Sequence, residues 1–301
     1  MPGRAFLSIW RLVPLIAVIA LTGCDPDAPS PRPPVMEVAA SSDFDATTTG
    51  DVAGRVTWAG DLPEVLPFLA PVSPLSEQLR GEKRNWANPN APLIDPKSRG
   101  VGEAVVFLRG VEPRQARPWD LDPVSIELRD YQIRVRQGKG EGRFGFVRRG
   151  AKIDLASKQN VFHSLKARGA AFFGMTFPDE GTTRERILDR KGVVELASGA
   201  NQFWMRAYLF VDEHPYYTLT ASDGRFTLPQ APPGDYELVC WMPNWREADH
   251  ELDADTRLVT RMTFCPPAQI VSHIHIDSGA TTTADFSLSV GDFGPVKRSV
   301  P

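Results

Sequence analysis

Beyond residue 50 the chain is written in short runs of alternating apolar and polar residues. That period of two places every second side chain on one face of a strand. Val124-Ser125-Ile126-Glu127-Leu128 and Tyr131-Gln132-Ile133-Arg134-Val135 show it most clearly. The same reading predicts strands over 54–58, 143–147, 152–156, 193–196 and 205–211. Ala104-Val105-Val106-Phe107-Leu108 does not alternate, which predicts a strand buried on both faces. A later series of strands is predicted over 216–220, 225–228, 236–241, 257–264, 270–276 and 285–290. Turns separate them at Ala221-Ser222-Asp223-Gly224 and Pro232-Pro233-Gly234.

Three stretches lack this pattern. Residues 67–102, broken by Asn88-Pro89-Asn90-Ala91-Pro92, read as a long irregular segment, either functional or a covering flap. The charged stretch 179–191 reads as a loop, with a short helix as the alternative. Residues 243–255 read as a polar insert. No useful run of helical period appears after the first 24 residues. With 27 prolines and 24 glycines the expected class is all-β.

The first residues carry a different pattern. Arg4 and Arg11 precede a short apolar run at 12–21, too short to span a bilayer, so residues 1–23 read as a signal peptide. Leu21-Thr22-Gly23-Cys24 resembles a bacterial lipobox. The resemblance implies lipidation at Cys24 and a lipoprotein held by its anchor at the cell envelope, on the periplasmic or extracellular face. Residues 24–49, rich in Pro, Ser, Asp and Thr, read as a flexible tether, and 291–301 as a loose tail. The formal charge of −3 becomes about −5 without residues 1–23, which argues against a nucleic-acid partner. Cys240 and Cys265 either form a disulfide, which an oxidising compartment permits, or stay as two buried thiols.

The run Thr220-Ala221-Ser222-Asp223-Gly224-Arg225-Phe226, followed by Pro232-Pro233-Gly234-Asp235-Tyr236, resembles the carboxypeptidase regulatory-like domain, a transthyretin-like β-sandwich. The opening strand at 54–58 and the apolar strand at 104–108 fit the same resemblance. It covers 50–117 and 212–290 and leaves 118–211 as an insertion. That insertion resembles a cupredoxin, on Gly150 to Ser157, His163, Gly192 to Leu196 and Trp204-Met205. The expected fold is therefore two β-sandwiches, one inserted in the other. The resemblance also exposes a departure. Gly199, with Ser198 beside it, stands where a cupredoxin has its copper-binding Cys, and Gln202 stands at the second His. A blue-copper centre needs the thiolate and two imidazoles around a weak axial Met, and only His163 and Met205 remain. No blue copper is expected.

Other candidates come from the residues themselves. His273 and His275 lie two apart in an alternating run and share one strand face. With His163 or His214 they form the candidate ligand set for Cu or Zn, the alternative to a protein without cofactor. His250, Asp249 and Glu251 lie within reach in sequence. Trp204, Tyr216, Trp241 and Trp245 are candidates for an aromatic ligand platform, or for cover over the junction between sandwiches. No nucleophile elbow, phosphate loop, dinucleotide fingerprint or His-Glu-x-x-His motif occurs, so no catalytic residue is expected. The functional expectation is a non-catalytic binding or structural module, with carbohydrate or an envelope protein as partner. The competing class is a copper or zinc protein in metal handling or electron transfer.

Overall fold

Four main sheets account for the alternating sequence, and their stacking explains which runs alternate and which do not. The computed structural model describes residues 43–72, 81–255 and 257–294, all within the unit that begins at Ser41. The signal segment, Cys24, most of the 24–49 tether and the end of the 291–301 tail lie outside the described residues. Among the described residues no helix is long and apolar enough to cross a membrane.

The first sheet is built on Gly50–Trp58, paired with Arg225–Ala231 on one side and with Thr281–Thr283 and Phe286–Leu288 on the other. The second has the order Tyr217–Leu219, Val105–Arg109, Gly234–Met242, Ala268–Ile276. Their facing sides enclose one core that includes Val56, Trp58, Leu108, Phe226 and Leu238. Gly224, at φ +85°, closes the turn before Arg225. A Cβ there would stand 2.1 Å from the Val56 carbonyl oxygen, so the position admits only glycine.

The third sheet has the order Phe144–Arg148, Arg206–Asp212, Gly192–Ser198, His163–Gly169, Phe173–Phe177. The fourth has Thr183–Ile187, Lys152–Ser157, Val124–Arg129, Gln132–Gln137, Gly140–Gly142. Between them lies a second core, with Ile126, Ile153, Leu165, Leu196 and Leu209 all but fully buried. The chain is thus all-β, built of β-sandwich layers.

A third apolar cluster joins the two sandwiches. Val105, Phe107, Tyr217 and Trp241 on the outer face of the second sheet meet Phe144, Phe146, Tyr208 and Phe210 on the outer face of the third. Phe107 stacks on Tyr217 at 4.9 Å, and Trp241 meets Phe210 edge-on at 5.1 Å. The second and third sheets are therefore inner layers. This is why Val105 to Leu108 and Ala207 to Val211 are apolar at every position, while Val124–Arg129, in an outer layer, alternates.

The three stretches without a pattern differ from their sequence reading. Residues 67–102 contain the hairpin Phe68–Pro71 with Lys83–Trp86, and the short pair Leu93–Ile94 with Val101–Gly102. The stretch 179–191 contains the strand Thr183–Ile187, neither loop nor helix. It is an edge strand exposed at every residue, so it has no apolar face for a sequence to display. The polar insert contains Glu247–Leu252, which pairs with Val259–Phe264 as a projecting hairpin.

Candidate functional site

The first region of interest is the inner face of the third sheet where His163 begins its strand. His163, Leu165 and Ala167 point into the second core, and His163 is 1% exposed. Leu165 pairs directly with Ser198, so Ser198 shares that inner face. Gly199 is on the other side: a Cβ there would meet Ser164 Oγ at 2.6 Å and Lys166 Cε at 2.8 Å. The inward position that the sequence comparison placed at Gly199 thus belongs to Ser198.

From Ser198 the chain turns tightly back on itself. Met205 N–H donates to Gln202 O at 2.9 Å, and Asn201 takes the left-handed conformation at φ +62°. Ser198 Oγ accepts from the Ala200 N–H at 3.0 Å and donates to Gln202 Oε1 at 3.0 Å. Gln202 is fully buried, and its Nε2 has no partner among the described residues. Both ring nitrogens of His163 are also buried without partners among the described residues. Burial alone pushes the His163 pKa below its ordinary value, so the ring is neutral at pH 7.

A blue-copper ion does not fit this donor set. The position that the resemblance assigns to the thiolate is a serine hydroxyl, and the one it assigns to the second imidazole is an amide already bonded to that hydroxyl. His163 and the buried Met205 are the two suitable donors left. The loop is also covered. Trp204 stacks on Trp86 at 4.4 Å with planes 9° apart, and its Nε1 donates to Tyr131 O at 3.1 Å. Phe203 meets Phe68 edge-on at 5.3 Å, and Met262 of the projecting hairpin is buried in the same core.

The other histidines lie elsewhere. His214 sits at the end of the third sheet's Arg206–Asp212 strand, 2% exposed, with Nε2 3.5 Å from Asp212 Oδ2. Burial lowers its pKa, and Asp212 opposes that without overcoming it. Asp212 is held ionised against its own burial. Lys191 Nζ lies 2.8 Å away, and the Tyr217 hydroxyl donates to it at 2.7 Å. His273 and His275 are exposed on the second sheet's edge strand. His275 Nδ1 is 2.7 Å from Asp235 Oδ1, a pairing that raises its pKa. His250 pairs with Glu247 on the projecting hairpin. The four candidate ligands His163, His214, His273 and His275 thus belong to a sandwich interior, a strand end and an outer edge. Among the described residues no group of three or more His, Cys, Asp or Glu is placed to hold a metal.

The candidate aromatic platform is dispersed in the same way. Tyr216 is fully buried, with its hydroxyl accepting from the Arg117 N–H and donating to Gln230 O, both at 2.9 Å. Trp245 packs on Trp58 and Phe293 in the first core, and Trp204 lies under Trp86. Trp241 belongs to the junction cluster. These rings carry core and junction area, so they make no common exposed surface. Cys240 and Cys265 are both buried and not bonded to one another; Cys240 faces the first core, and Cys265 Sγ donates to Glu247 O at 3.7 Å.

The sequence reading missed a groove. On the third sheet's outer face the junction cluster takes in Phe144, Phe146, Tyr208 and Phe210 and reaches Val193 at the start of the next strand. Cross-strand rows there read Lys166–Ala197–Arg206 and Arg168–Glu195–Tyr208. The projecting hairpin stands over them as a wall. Two connected clefts of about 360 and 340 Å³ result, sharing Arg168, Arg206 and Thr263. Arg206, nearly buried, fastens wall to floor by donating to Glu195 and to the Met262 and Phe203 carbonyls. Buried asparagines fix the inner end. Asn90 accepts from the Tyr208 hydroxyl at 3.0 Å and donates to Asn244 O at 2.9 Å, and Asn244 donates to Pro266 O at 3.0 Å. Alternation in 163–169 was the signal that could have found the floor. The wall comes from 247–264, far away in sequence.

No family profile matches the chain, and no curated protein matches it. Among solved structures it is similar to a Cu-containing nitrite reductase (NirK) from Thermus scotoductus SA-01, at 10% identity over 34% of this chain and 24% of that one, with a TM-score of 0.25. It is similar to a purple cupredoxin from Nitrosopumilus maritimus at 14% identity, over 30% of this chain and 98% of that one, TM-score 0.24. It is also similar to amicyanin from Paracoccus versutus at 13% identity, over 35% of this chain and 96% of that one, TM-score 0.24.

Proposed function

We propose that this chain is a non-catalytic cell-envelope lipoprotein, anchored through Cys24, whose all-β body is a binding module. In this reading a carboxypeptidase regulatory-like sandwich is interrupted by a cupredoxin-like sandwich that no longer carries a blue-copper centre. The observation that carries it is the Ser198–Gln202 hydrogen bond. Ser198 Oγ and Gln202 Oε1 are bonded to one another on His163's side of the sheet, and a stacked Trp86–Trp204 pair closes the loop over them. What the molecule leaves open is the groove on the far side of the same sheet. The ligand class in this reading is carbohydrate, or a protein of the envelope.

Two measurements test it. Cells fed an alkyne-tagged fatty acid are expected to label the full-length chain, and Cys24→Ala is expected to abolish the label and the membrane partition. Persistence of both in Cys24→Ala overturns the anchor. A second reading, copper or zinc handling, draws support from the two His163 nitrogens, buried without a partner among the described residues. It predicts stoichiometric metal in the purified protein, lost in His163→Ala.

A further inference from the structure

We propose that the groove between the third sheet and the projecting hairpin binds an oligosaccharide bearing carboxylates. The proposal rests on the binding-module reading and names its ligand class.

The charge balance of the groove differs from that of the chain. The whole sequence carries −3, yet the groove is lined by four cations and two carboxylates. Both carboxylates are engaged: Glu195 by Arg206, and Glu251 by Arg261 at 2.6 Å. Lys166 and Arg168 have no ion-pair partner among the described residues. They project as successive outward residues of one strand, about 7 Å apart along it. Ala197, between Lys166 and Arg206, leaves a depression in the floor where a larger side chain would fill it. An unpaired guanidinium and an ammonium beside a depression are matched by a ligand with a carboxylate on a compact ring.

The remaining lining suits hydroxyl groups. The side chains of Asn201, Thr260 and Thr263 are neutral hydrogen-bonding groups along the same cleft. Trp241 adds an indole N–H without a partner among the described residues, and Tyr208 adds ring area. Each cleft lies within the size range of small-ligand sites, which begins at about 300 Å³.

The position on the sheet separates a sugar from a peptide. An extended peptide binds by adding to an exposed strand edge, where backbone groups are unpaired. The floor of this groove is a sheet face, over strands paired on both sides, so the floor presents no backbone ladder. Recognition at the floor is by side chains.

The test is calorimetric titration of the full-length protein in detergent at low salt. The probes are oligogalacturonate, the same oligomer fully methyl-esterified, and a peptide of similar charge. Oligogalacturonate is expected to bind, and the esterified oligomer at least about tenfold more weakly. Lys166→Gln with Arg168→Gln is expected to lose about as much, without setting a carboxylate opposite Glu195. Both side chains are exposed and unpaired, so unfolding temperature is expected to stay unchanged. Ala197→Trp fills the floor without altering charge and is expected to abolish binding. Equal binding of the two oligomers, indifference to these variants, or preference for the peptide overturns the proposal. Failure of oligogalacturonate to bind overturns it while leaving the non-catalytic reading in place. Release of new reducing ends from a bound oligomer contradicts that reading and leaves the groove standing.

Discussion

Replacing His163 with leucine separates a structural histidine from a metal ligand. The ring is 1% exposed and neither nitrogen has a partner, so the wild type already carries the penalty of two desolvated polar atoms. A buried group left unsatisfied costs about 1–3 kcal/mol. His163→Leu removes that cost and breaks no hydrogen bond. The variant is expected to be between equally stable and about 2 kcal/mol more stable at pH 7.5. Its acid behaviour changes too. Burial depresses the folded-state pKa of His163 below that of the unfolded chain, near 6.5. Above pH 6.5 both states are neutral there and the group adds no pH dependence. As pH falls from 6.5 toward the folded value, the unfolded chain takes up a proton that the native ring refuses. Stability therefore falls by up to about 1.4 kcal/mol per pH unit for this ring. His214, also depressed by burial, contributes a fall of the same sign. The assay is urea unfolding followed by tryptophan fluorescence at pH 7.5 and 5.5. His163→Leu should lose less stability than the wild type between the two pH values, retaining the His214 share and the opposing contribution of His275, whose pKa Asp235 raises. Equal acid sensitivity, or a loss above about 2 kcal/mol at pH 7.5, refutes the reasoning and points to a partner that His163 holds in the working protein.

Other consequences are as direct. Ser198→Ala leaves the buried Gln202 Oε1 without a donor and is expected to cost about 1–3 kcal/mol in the same urea assay. A loss within error would show that the Ser198–Gln202 pair does not close the loop. Gly54→Ala places a Cβ 1.8 Å from the Ala284 carbonyl oxygen, backbone against backbone, and is expected to destabilise by more than about 3 kcal/mol. Near-wild-type stability would contradict the parallel pairing beside that strand. Burial pushes the Cys240 thiol up to about 12. It should stay silent toward an aromatic disulfide reagent at pH 8 until guanidinium is added, and prompt reaction of this thiol in the native protein would place it outside the core.

How much of this was legible depended on whether an element's neighbours left a mark on its own residues. Val124–Arg129 has one face in a core and one in solvent, so its alternation named it. Val105 to Leu108 announced burial on both sides, which the four-layer stack explains. The turn at Gly224 was readable because its backbone conformation excludes most residues. Thr183–Ile187 was not, because an exposed edge strand in Thr-Arg-Glu-Arg-Ile has no apolar period. The substituted loop was visible as missing Cys and His. Which residue turns inward was settled only by pairing, since Leu165 opposite Ser198 fixes the face and leaves Gly199 outside. The groove could not be read along the chain: Arg206 of its floor and Met262 of its wall are 56 residues apart and meet only in three dimensions.

The account's central claim is that the inserted sandwich works without a metal at His163. It is tested most directly by elemental analysis of the purified full-length protein, offered copper and zinc and then dialysed. The account predicts less than about a tenth of an equivalent of either metal, unchanged in His163→Ala, because Ser198 and Gln202 hold the positions that the cupredoxin resemblance assigns to the thiolate and the second imidazole. One equivalent of copper or zinc that His163→Ala abolishes would contradict it.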